Sequence, residues 1–276
     1  MLNKEFLFAD RDGELAVEEQ SAYLLVDSGG SRIFGRLLMP IMEKAEEKCP
    51  VVLLLHGFPG IDRNVDIAYA LRRAGLAVAF FSYRGVWGSH GYYCFSHYME
   101  DVKAILDHLS DRAEEYRLDM SRLCLFGHSM GGFAALNIAA ENDKIRGVVV
   151  AAPCDMGYLY EEDQEGFRSL MKTQERGFFN VPYPGYIEED VEAHARQWRF
   201  LNLAERIHTP VHFIGASHDT TTPPDRHMDP VYQVLEKMGR KVSRTMIPDK
   251  HSFLAHRIAL TTVIFDKICD ILDCNH

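Results

Sequence analysis

Along most of the chain, short apolar runs alternate with longer segments in which apolar residues recur at helical spacing. Five of the runs are nearly continuous in apolar residues: 51–55, 77–82, 123–126, 148–151 and 211–215. Such runs are typical of parallel strands that are buried on both faces. Val242–Ile247 is a weaker candidate for the last strand. Because strands and helices alternate, the sequence predicts an α/β fold with a mostly parallel sheet and helices on both of its faces.

The segments between these runs carry apolar stripes at the spacing of one helix face. The stripes are formed by Met99, Val102, Ile105, Leu106 and Leu109, by Met228, Val231, Val234, Leu235 and Met238, and by Ile258, Phe265, Ile268 and Leu272. We interpret all three as helices that pack on the core. Near the N-terminus, apolar stretches at 24–26 and 33–38 flank Ser28-Gly29-Gly30 and predict a pair of antiparallel strands.

One long segment, from about residue 155 to 206, breaks this alternation. It is too long for an ordinary crossover between strands, and it is rich in aromatic residues. Long excursions of this kind are often lids over a site, so we expect one domain over residues 1–276 with a cap insertion at about 155–206, the cap segment. Four of its aromatic residues are candidates for substrate contact: Tyr158, Phe178, Phe179 and Tyr183. Packing of the cap segment onto the body is an equally good interpretation for each of them.

Composition narrows the class of protein. The 276 residues are 47% hydrophobic, as expected of a packed globular core. The formal net charge of −10 argues against nucleic acid as a partner, because phosphate recognition needs clustered Lys and Arg. The six cysteines include no C-x-x-C pair and predict reduced thiols. With charges near the N-terminus and no apolar run of about 18 residues, we expect a cytoplasmic protein without a membrane span. The oligomeric state is left open, a homodimer included.

The strongest chemical signal is Gly127-His128-Ser129-Met130-Gly131. It matches G-x-S-x-G, and it lies between the apolar run 123–126 and a helical segment at about 131–140, as a nucleophile elbow requires. A turn this sharp holds its serine in a strained backbone conformation above the sheet, and glycine is needed where side chains would collide with neighbouring elements. The motif therefore predicts that Ser129 is a nucleophile.

A second signal, His56-Gly57-Phe58-Pro59-Gly60, follows the run 51–55 directly. Acyl transfer builds negative charge on a carbonyl oxygen, which preorganised backbone N–H groups stabilise. The N–H of Met130, next to the nucleophile, is one candidate donor for such an oxyanion hole. Pro59 has no N–H, so Phe58 is the best second donor. We expect His56 to brace this loop rather than to take part in catalysis.

With these motifs, the chain from about Tyr23 to the C-terminus resembles the α/β-hydrolase superfamily. It is similar to its esterases and to the catalytic domains of prolyl-oligopeptidase-type peptidases, and Ser82-Tyr83-Arg84-Gly85-Val86-Trp87-Gly88-Ser89 is similar to the region that these families place after the third core strand. We expect no β-propeller of the kind that prolyl oligopeptidases carry, because the N-terminal segment is too short for one.

The resemblance implies a catalytic triad in the chain order serine, acid, histidine. Asp219 follows the run 211–215, and His251 follows the last predicted strand, where this fold supplies its acid and its base. Asp225 and Asp249 are rivals for the acid, but Asp225 is expected to open the next helix and Asp249 lies too close to the base in sequence to aim at its ring. No metal or organic cofactor is expected, because the chain supplies the nucleophile, the base and the oxyanion donors.

Several functions remain to be weighed on this fold. We favour a serine hydrolase that cleaves a small-molecule carboxylic ester through an acyl-enzyme. A prolyl-oligopeptidase-like peptidase or aminopeptidase acting on short peptides is the alternative, since the acidic runs Glu161-Glu162-Asp163, with Glu165, and Glu188-Glu189-Asp190 could bind a substrate's amino group. Acyl transfer and lyase chemistry stay open, because a fold does not determine a reaction. A non-catalytic binding protein is disfavoured because every member of the triad is present, and a dinucleotide enzyme because no G-x-G-x-x-G follows a predicted strand.

Overall fold

The computed structural model describes residues 2–10, 21–42, 47–60, 63–172 and 177–273. Eight strands in these ranges form one sheet. They are β1 (Ser21–Ser28), β2 (Ser31–Leu38), β3 (Cys49–Leu55), β4 (Ala77–Phe81), β5 (Leu118–His128), β6 (Gly147–Ala151), β7 (Val211–Ala216) and β8 (Val242–Ile247). Each apolar run predicted to be a strand forms one of them, the weaker candidate Val242–Ile247 included.

The order of the strands in the sheet is β1-β2-β4-β3-β5-β6-β7-β8. The pairs β1–β2 and β2–β4 are antiparallel, and the other five pairs are parallel. Gly29 and Gly30 make the turn between β1 and β2 with positive φ angles of 56° and 74°, which glycine adopts readily. The predicted antiparallel pair and the mostly parallel sheet are both confirmed.

Helices occupy most of the chain between the strands. They are α1 (Val65–Arg73), α2 (Ser96–Asp111), α3 (Met130–Ala139), α4 (Met156–Glu162), α5 (Gln164–Met171), α6 (Tyr186–Trp198), α7 (Phe200–Leu203), α8 (Pro224–His227), α9 (Asp229–Lys237) and α10 (Arg257–Ile271), with 3-10 turns at Lys4–Leu7 and Ala204–Arg206. The three predicted stripes lie on or directly beside α2, α9 and α10. Among the described residues, no helix combines the length and the apolar character that crossing a membrane requires.

The sheet separates two apolar cores, because successive side chains of a strand point to opposite faces. Along β3, Val51, Leu53 and Leu55 pack into the core that contains residues of α2 and α3. Val52 and Leu54 pack into the second core, with residues of α1 and α10. Helices therefore cover both faces of the sheet, as the continuous apolar runs predict.

The register of the parallel strands brings their carboxyl ends to one edge of the sheet. Leu55 at the end of β3 pairs with Gly127, and His128 at the end of β5 pairs with Ala151. Ala216 at the end of β7 pairs with Ile247 of β8. The loops that follow β3, β5, β7 and β8 consequently emerge together at this edge.

The cap segment lies between β6 and β7 and contains α4 to α7. Asp155, at its start, accepts hydrogen bonds from Tyr158 N at 3.0 Å and from Phe200 N at 3.1 Å. One carboxylate therefore joins the beginning of the segment to the start of α7. Burial raises the pKa of Asp155 to about 7, against the lowering effect of these N–H donors. The division into one domain with a cap over the site stays a prediction.

A buried ion pair connects the loop after β4 to α2, and a hydrogen bond adds the first hairpin to it. The Asp101 side chain is fully buried and accepts hydrogen bonds from Ser28 Oγ at 2.6 Å, Arg84 N at 2.7 Å and Arg84 Nε at 2.6 Å. The guanidinium of Arg84 also contacts Glu100 at 2.5 Å. Arg84 belongs to the loop that the sequence resemblance singles out, so the network ties that loop to the sheet.

Replacing Asp101 with asparagine should lower the free energy of unfolding by about 3 kcal/mol, because it leaves the buried Arg84 charge without its main partner. Urea denaturation of wild type and variant measures the difference. Glu114→Gln is the matched control, since it breaks a surface pair with Lys48 and should cost less than about 1 kcal/mol. Equal losses of unfolding free energy in the two variants would show that the buried pair stabilises the fold no more than the surface pair does.

Candidate active site

The turn after β5 presents Ser129 at the carboxyl edge of the sheet. Ser129 has φ 57° and ψ −120°. Residues other than glycine rarely adopt this backbone conformation, so the surrounding structure must enforce it. Its N–H donates to Ala151 O at 2.9 Å. A Cβ on Gly127 would collide with the carbonyl of Gly131, and a Cβ on Gly131 would collide with the carbonyl of Leu55. The glycines of the motif are therefore required by close approach of the backbone, and the strained serine agrees with the sequence prediction.

The loops after β5, β7 and β8 bring Ser129, Asp219 and His251 together. His251 Nε2 lies 2.9 Å from Ser129 Oγ, and His251 Nδ1 lies 2.8 Å from Asp219 Oδ2. The Asp219 side chain is fully buried, and that of His251 is 17% exposed. With Nδ1–H donating to the carboxylate, Nε2 is free to accept the hydroxyl proton of Ser129. The predicted catalytic roles of these residues stay predictions.

The carboxylate of Asp219 accepts four hydrogen bonds. Oδ1 accepts from Thr221 N at 2.8 Å and Thr222 N at 2.9 Å, and Oδ2 accepts from Thr222 Oγ1 at 3.0 Å as well as from His251. Burial by itself would raise the pKa of Asp219, but the hydrogen bond and charge of His251 and the backbone donors lower it to about 2. Asp219 is therefore ionised at neutral pH and holds the imidazole in one tautomer.

The two rival acids lie in other surroundings. Asp225 lies in the first turn of α8, where a negative charge interacts favourably with the helix dipole. Asp249 Oδ2 lies 3.1 Å from His256 Nδ1, and Asp249 Oδ1 accepts from Lys250 N at 2.7 Å. Both positions agree with the reasons for which the sequence disfavours these residues as the acid.

The loop after β3 lies against the nucleophile. A Cβ on Gly57 would lie 3.1 Å from Ser129 Cβ and 3.6 Å from Ser129 Oγ. The N–H groups of Phe58 and Met130, the predicted oxyanion donors, belong to the residues that follow Gly57 and Ser129. The Phe58–Pro59 peptide is cis. His56 Nδ1 donates to Gly57 O at 2.8 Å, so the His56 ring braces this loop. Donation by Phe58 and Met130 to a substrate stays a prediction.

The four aromatic candidates of the cap segment separate into two pairs. Phe179 stacks on Phe58 with ring centroids 4.7 Å apart, and Phe178 lies 5.7 Å from the indole of Trp87. Tyr158 instead contacts His227, and Tyr183 is 46% exposed with its hydroxyl donating to a glutamate. Phe179 thus contacts the loop after β3 (residues 56–60, the oxyanion loop), and Phe178 contacts Trp87, which is itself bonded to that loop. Tyr158 and Tyr183 lie in other surroundings.

The sequence analysis missed three residues around the site. Thr222 contacts both Asp219 and His251, the latter at 3.1 Å between Oγ1 and Nδ1. Its position three residues after Asp219 could have suggested a side-chain turn. Trp87 Nε1 donates to Pro59 O at 2.8 Å, and His128 contacts the backbone of His251. Sequence spacing offers no signal for the last two contacts, since they join segments far apart in the chain.

The acidic runs proposed to bind an amino group have partners within the chain. Glu161 and Glu162 both pair with Arg199. Three further carboxylates accept hydrogen bonds from the cap segment or α2: Asp163 accepts from Gly166 N, Glu189 from Tyr183 Oη, and Asp190 from Ser96 N. These contacts engage most of the carboxylates that an amine substrate would need.

A cavity of about 570 Å³ adjoins the base. The loops after β7 and β8 line it with His218, Thr220, Thr221, Lys250, His251 and Leu254, among other residues. Asp249 is the carboxylate among the described lining residues, and it already contacts His256. The cavity therefore offers hydroxyl, imidazole and apolar groups to a ligand more readily than a negative charge.

A protein family and curated proteins match parts of this chain. A family model, Hydrolase_4, described as serine aminopeptidase, S33, matches residues 46–177. The chain is also 24% identical over 220 residues to the protein named "uncharacterized 31.7 kDa protein in traX-finO intergenic region" of Escherichia coli, covering 65% of this chain and 76% of that protein. The family match includes the β3 loop and the serine turn.

Two solved structures are similar over nearly the whole chain. The acylaminoacyl peptidase of Pyrococcus horikoshii superposes with a TM-score of 0.70 at 16% identity, covering 95% of this chain and 43% of the peptidase. An esterase of Pyrobaculum calidifontis also superposes with a TM-score of 0.70 at 16% identity, covering 91% of this chain and 85% of the esterase. The chain thus spans less than half the length of the peptidase. At these identities the similarity is one of fold.

Proposed function

This chain has the α/β-hydrolase fold that its motifs predict, and from that premise we propose that it is a serine hydrolase acting on a carboxylic ester. One observation carries the proposal: the His251 ring lies between Ser129 Oγ, at 2.9 Å, and Asp219 Oδ2, at 2.8 Å. A nucleophile, a base and a group that orients the base are the parts that acyl transfer through a serine requires. The same arrangement argues against a non-catalytic binding protein.

The reaction proceeds in two halves. Ser129 Oγ attacks the ester carbonyl while His251 Nε2 takes the hydroxyl proton, and the N–H groups of Phe58 and Met130 stabilise the oxyanion. The C–O bond to the alcohol then breaks, and His251 returns the proton to the leaving oxygen. Water attacks the acyl-enzyme in the same way, releasing the acid and restoring Ser129. In both halves the ionised Asp219 stabilises the imidazolium.

The charges around the site favour an ester over a peptide with a free amino terminus. An aminopeptidase needs a carboxylate to pair with the substrate's ammonium group. Glu161 and Glu162 are engaged by Arg199, and Asp249 beside the base contacts His256. An incoming ammonium would have to displace one of these partners, whereas a neutral ester would not.

The aromatic side chains beside the oxyanion loop favour an apolar acyl group. Phe58 and Phe179 stack, and the partly exposed Trp87 pairs with Phe178 next to Pro59. Aromatic rings supply a large apolar contact area in a defined geometry. We therefore propose that the acyl part of a small-molecule ester lies against this group. Tyr158 and Tyr183 are not part of it, because they contact His227 and Glu189 instead.

A peptidase remains the second candidate. The observations in its favour are the aminopeptidase description of the matching family model and the fold similarity to an acylaminoacyl peptidase. An N-acylated peptide has no free amino group that needs a carboxylate partner. Such a substrate is therefore also compatible with the pairing of Glu161 and Glu162 to Arg199. Amide bonds and ester bonds are cleaved by the same serine chemistry, so the two activities are distinguished by comparing substrates.

We expect kcat/KM for p-nitrophenyl esters to rise about fourfold with each methylene from acetate to butanoate, because burial of a CH₂ contributes about 0.8 kcal/mol. A panel that also contains aminoacyl anilides, each with a free and with an acetylated amino group, tests the assignment. Both sets of anilides should be poor substrates. Efficient anilide cleavage that requires the free amine would overturn the ester proposal in favour of an aminopeptidase, and cleavage of the acetylated set would favour an acylaminoacyl substrate.

A further inference from the structure

His128 precedes the nucleophile in the elbow, yet its side chain contacts the loop of the base. His128 Nε2 lies 2.8 Å from the backbone carbonyl oxygen of His251. A carbonyl oxygen only accepts hydrogen bonds, so Nε2 carries the hydrogen and donates it. The centroids of the His128 and His251 rings are 5.0 Å apart.

We propose that His128 is a positioning residue, which holds the main chain of His251 so that the imidazole stays between Ser129 and Asp219. The proposal rests on the serine-hydrolase function proposed above. His128 itself touches no reacting atom in this mechanism. It acts through the carbonyl of the base.

The rest of the base loop explains why such an anchor matters. Residues 248–256 connect β8 to α10 as a loop of turns and bends, and Phe253 within it has a φ of 52°. The loop is held near its ends: His218 N donates to Asp249 O at 2.9 Å, and Asp249 pairs with His256. At His251 itself, the bond from His128 holds the main chain while the two ring nitrogens contact Asp219 and Ser129.

The bond also couples the base directly to the nucleophile. His128 and Ser129 are adjacent, and the strand that ends at His128 is paired with β6 through Ala151. The end of β5 therefore positions both groups. It places Ser129 directly, as the next residue in the chain, and it holds His251 through the side chain of His128. A displacement of about 1 Å between reacting groups can lower a rate by roughly 100-fold. A direct link between the two residues keeps the distance from His251 to Ser129 within that tolerance.

The charge of His128 suits this position. Burial lowers the pKa of His128 to about 3, and the nearby His251 contributes to the shift. His128 is therefore neutral when His251 takes a proton from Ser129. A neutral donor holds the loop without placing a second positive charge beside the imidazolium.

The test compares variants that keep or remove the donor. We expect His128→Phe to lower kcat for a p-nitrophenyl ester by roughly 10- to 100-fold with KM within about twofold. The glutamine side chain can place its Nε2–H group near the same carbonyl, so His128→Gln should recover most of the loss. His128→Ala, which removes the donor without adding volume, replaces the phenylalanine variant if that protein does not fold.

His97→Phe is the matched control, because His97 Nδ1 makes the same kind of bond to a carbonyl, that of Tyr92 at 2.8 Å, on the surface of α2. It should leave kcat unchanged. A kcat in His128→Phe within about twofold of wild type would overturn the proposal, as would equal losses in His128→Phe and His128→Gln at equal thermal stability. Labelling of the wild type by a fluorophosphonate keeps the two ideas separate: loss of labelling there contradicts the proposed function, whereas normal labelling with an unaffected His128→Phe contradicts only the role of His128.

Discussion

Ser129→Ala should lower kcat for an aryl ester by about 10⁶-fold, because removal of the nucleophile leaves only binding and the oxyanion donors to assist the reaction. The methyl side chain fits the space of the hydroxymethyl group, so the elbow and the substrate affinity should persist. Labelling by a fluorophosphonate probe, which reacts with activated serines, should disappear completely. Steady-state kinetics and labelling of the same preparations measure both effects.

Ser217→Ala is a suitable control for this experiment. Ser217 is an exposed serine at the start of the loop that carries Asp219, and it has no place in the mechanism. Its variant should label and turn over as wild type does. Labelling that survives in Ser129→Ala, or wild-type protein that does not label at all, would contradict the assignment of the nucleophile.

Asp219→Asn should lower kcat by about 10⁴-fold through a change of tautomer rather than a change of shape. The N–H groups of Thr221 and Thr222 donate to Oδ1, so the amide oxygen of asparagine should take that position. Its NH₂ group then faces Nδ1 of His251 and donates to it. The ring hydrogen must move to Nε2, where it prevents the base from accepting the proton of Ser129.

Asp249→Asn provides the matched comparison, because Asp249 is the other aspartate of this edge that pairs with a histidine. The asparagine side chain can still accept from Lys250 N, as Asp249 Oδ1 does, so the end of the base loop keeps one of its bonds. The partner His256 is 40% exposed, and the loss of its charge pair should cost about 1 kcal/mol of stability. We expect kcat/KM of this variant to stay within about threefold of wild type at neutral pH. A large loss of activity in Asp249→Asn, with Asp219→Asn unaffected, would show that Asp249 and not Asp219 is the acid.

The two aspartates also illustrate how far the sequence could go. Asp219 and Asp249 both lie in loops that follow strands at the same edge, and each contacts a histidine in the fold. The placement of Asp219 after the run 211–215 resembles the acid loop of the α/β-hydrolase superfamily, and the argument that Asp249 is too close to His251 in sequence rests on local geometry. Both inferences used information available without coordinates. The partner of Asp249, His256, was not foreseen, because it depends on the path of the loop after β8.

The strands were predictable for a related reason. A strand buried on both faces must be apolar at almost every position, and the runs in β3, β6 and β7 carry this signal within five or six residues. Helix α1 was not predicted, and neither was the division of the cap segment into α4 to α7. Two of the four aromatic residues selected there, Tyr158 and Tyr183, contact groups away from the oxyanion loop. Aromatic content identifies a segment that packs, but it does not indicate which ring faces which surface.

By itself, the sequence determined the strands, the sharp turn at Ser129 and the placement of Asp219 and His251 after strands, because each is encoded by neighbouring residues: apolar runs, glycines around a serine, and an acid or a histidine that follows a strand. Only the tertiary structure decided that Thr222 joins Asp219 and His251, that Arg199 engages the acidic run, and that His128 holds the carbonyl of His251. Apart from the local bond between Thr222 and Asp219, these contacts join side chains that lie far apart along the chain, so the sequence carries no information about their distance in space. They depend on the angles at which strands, loops and helices meet, which are set by packing across the whole domain.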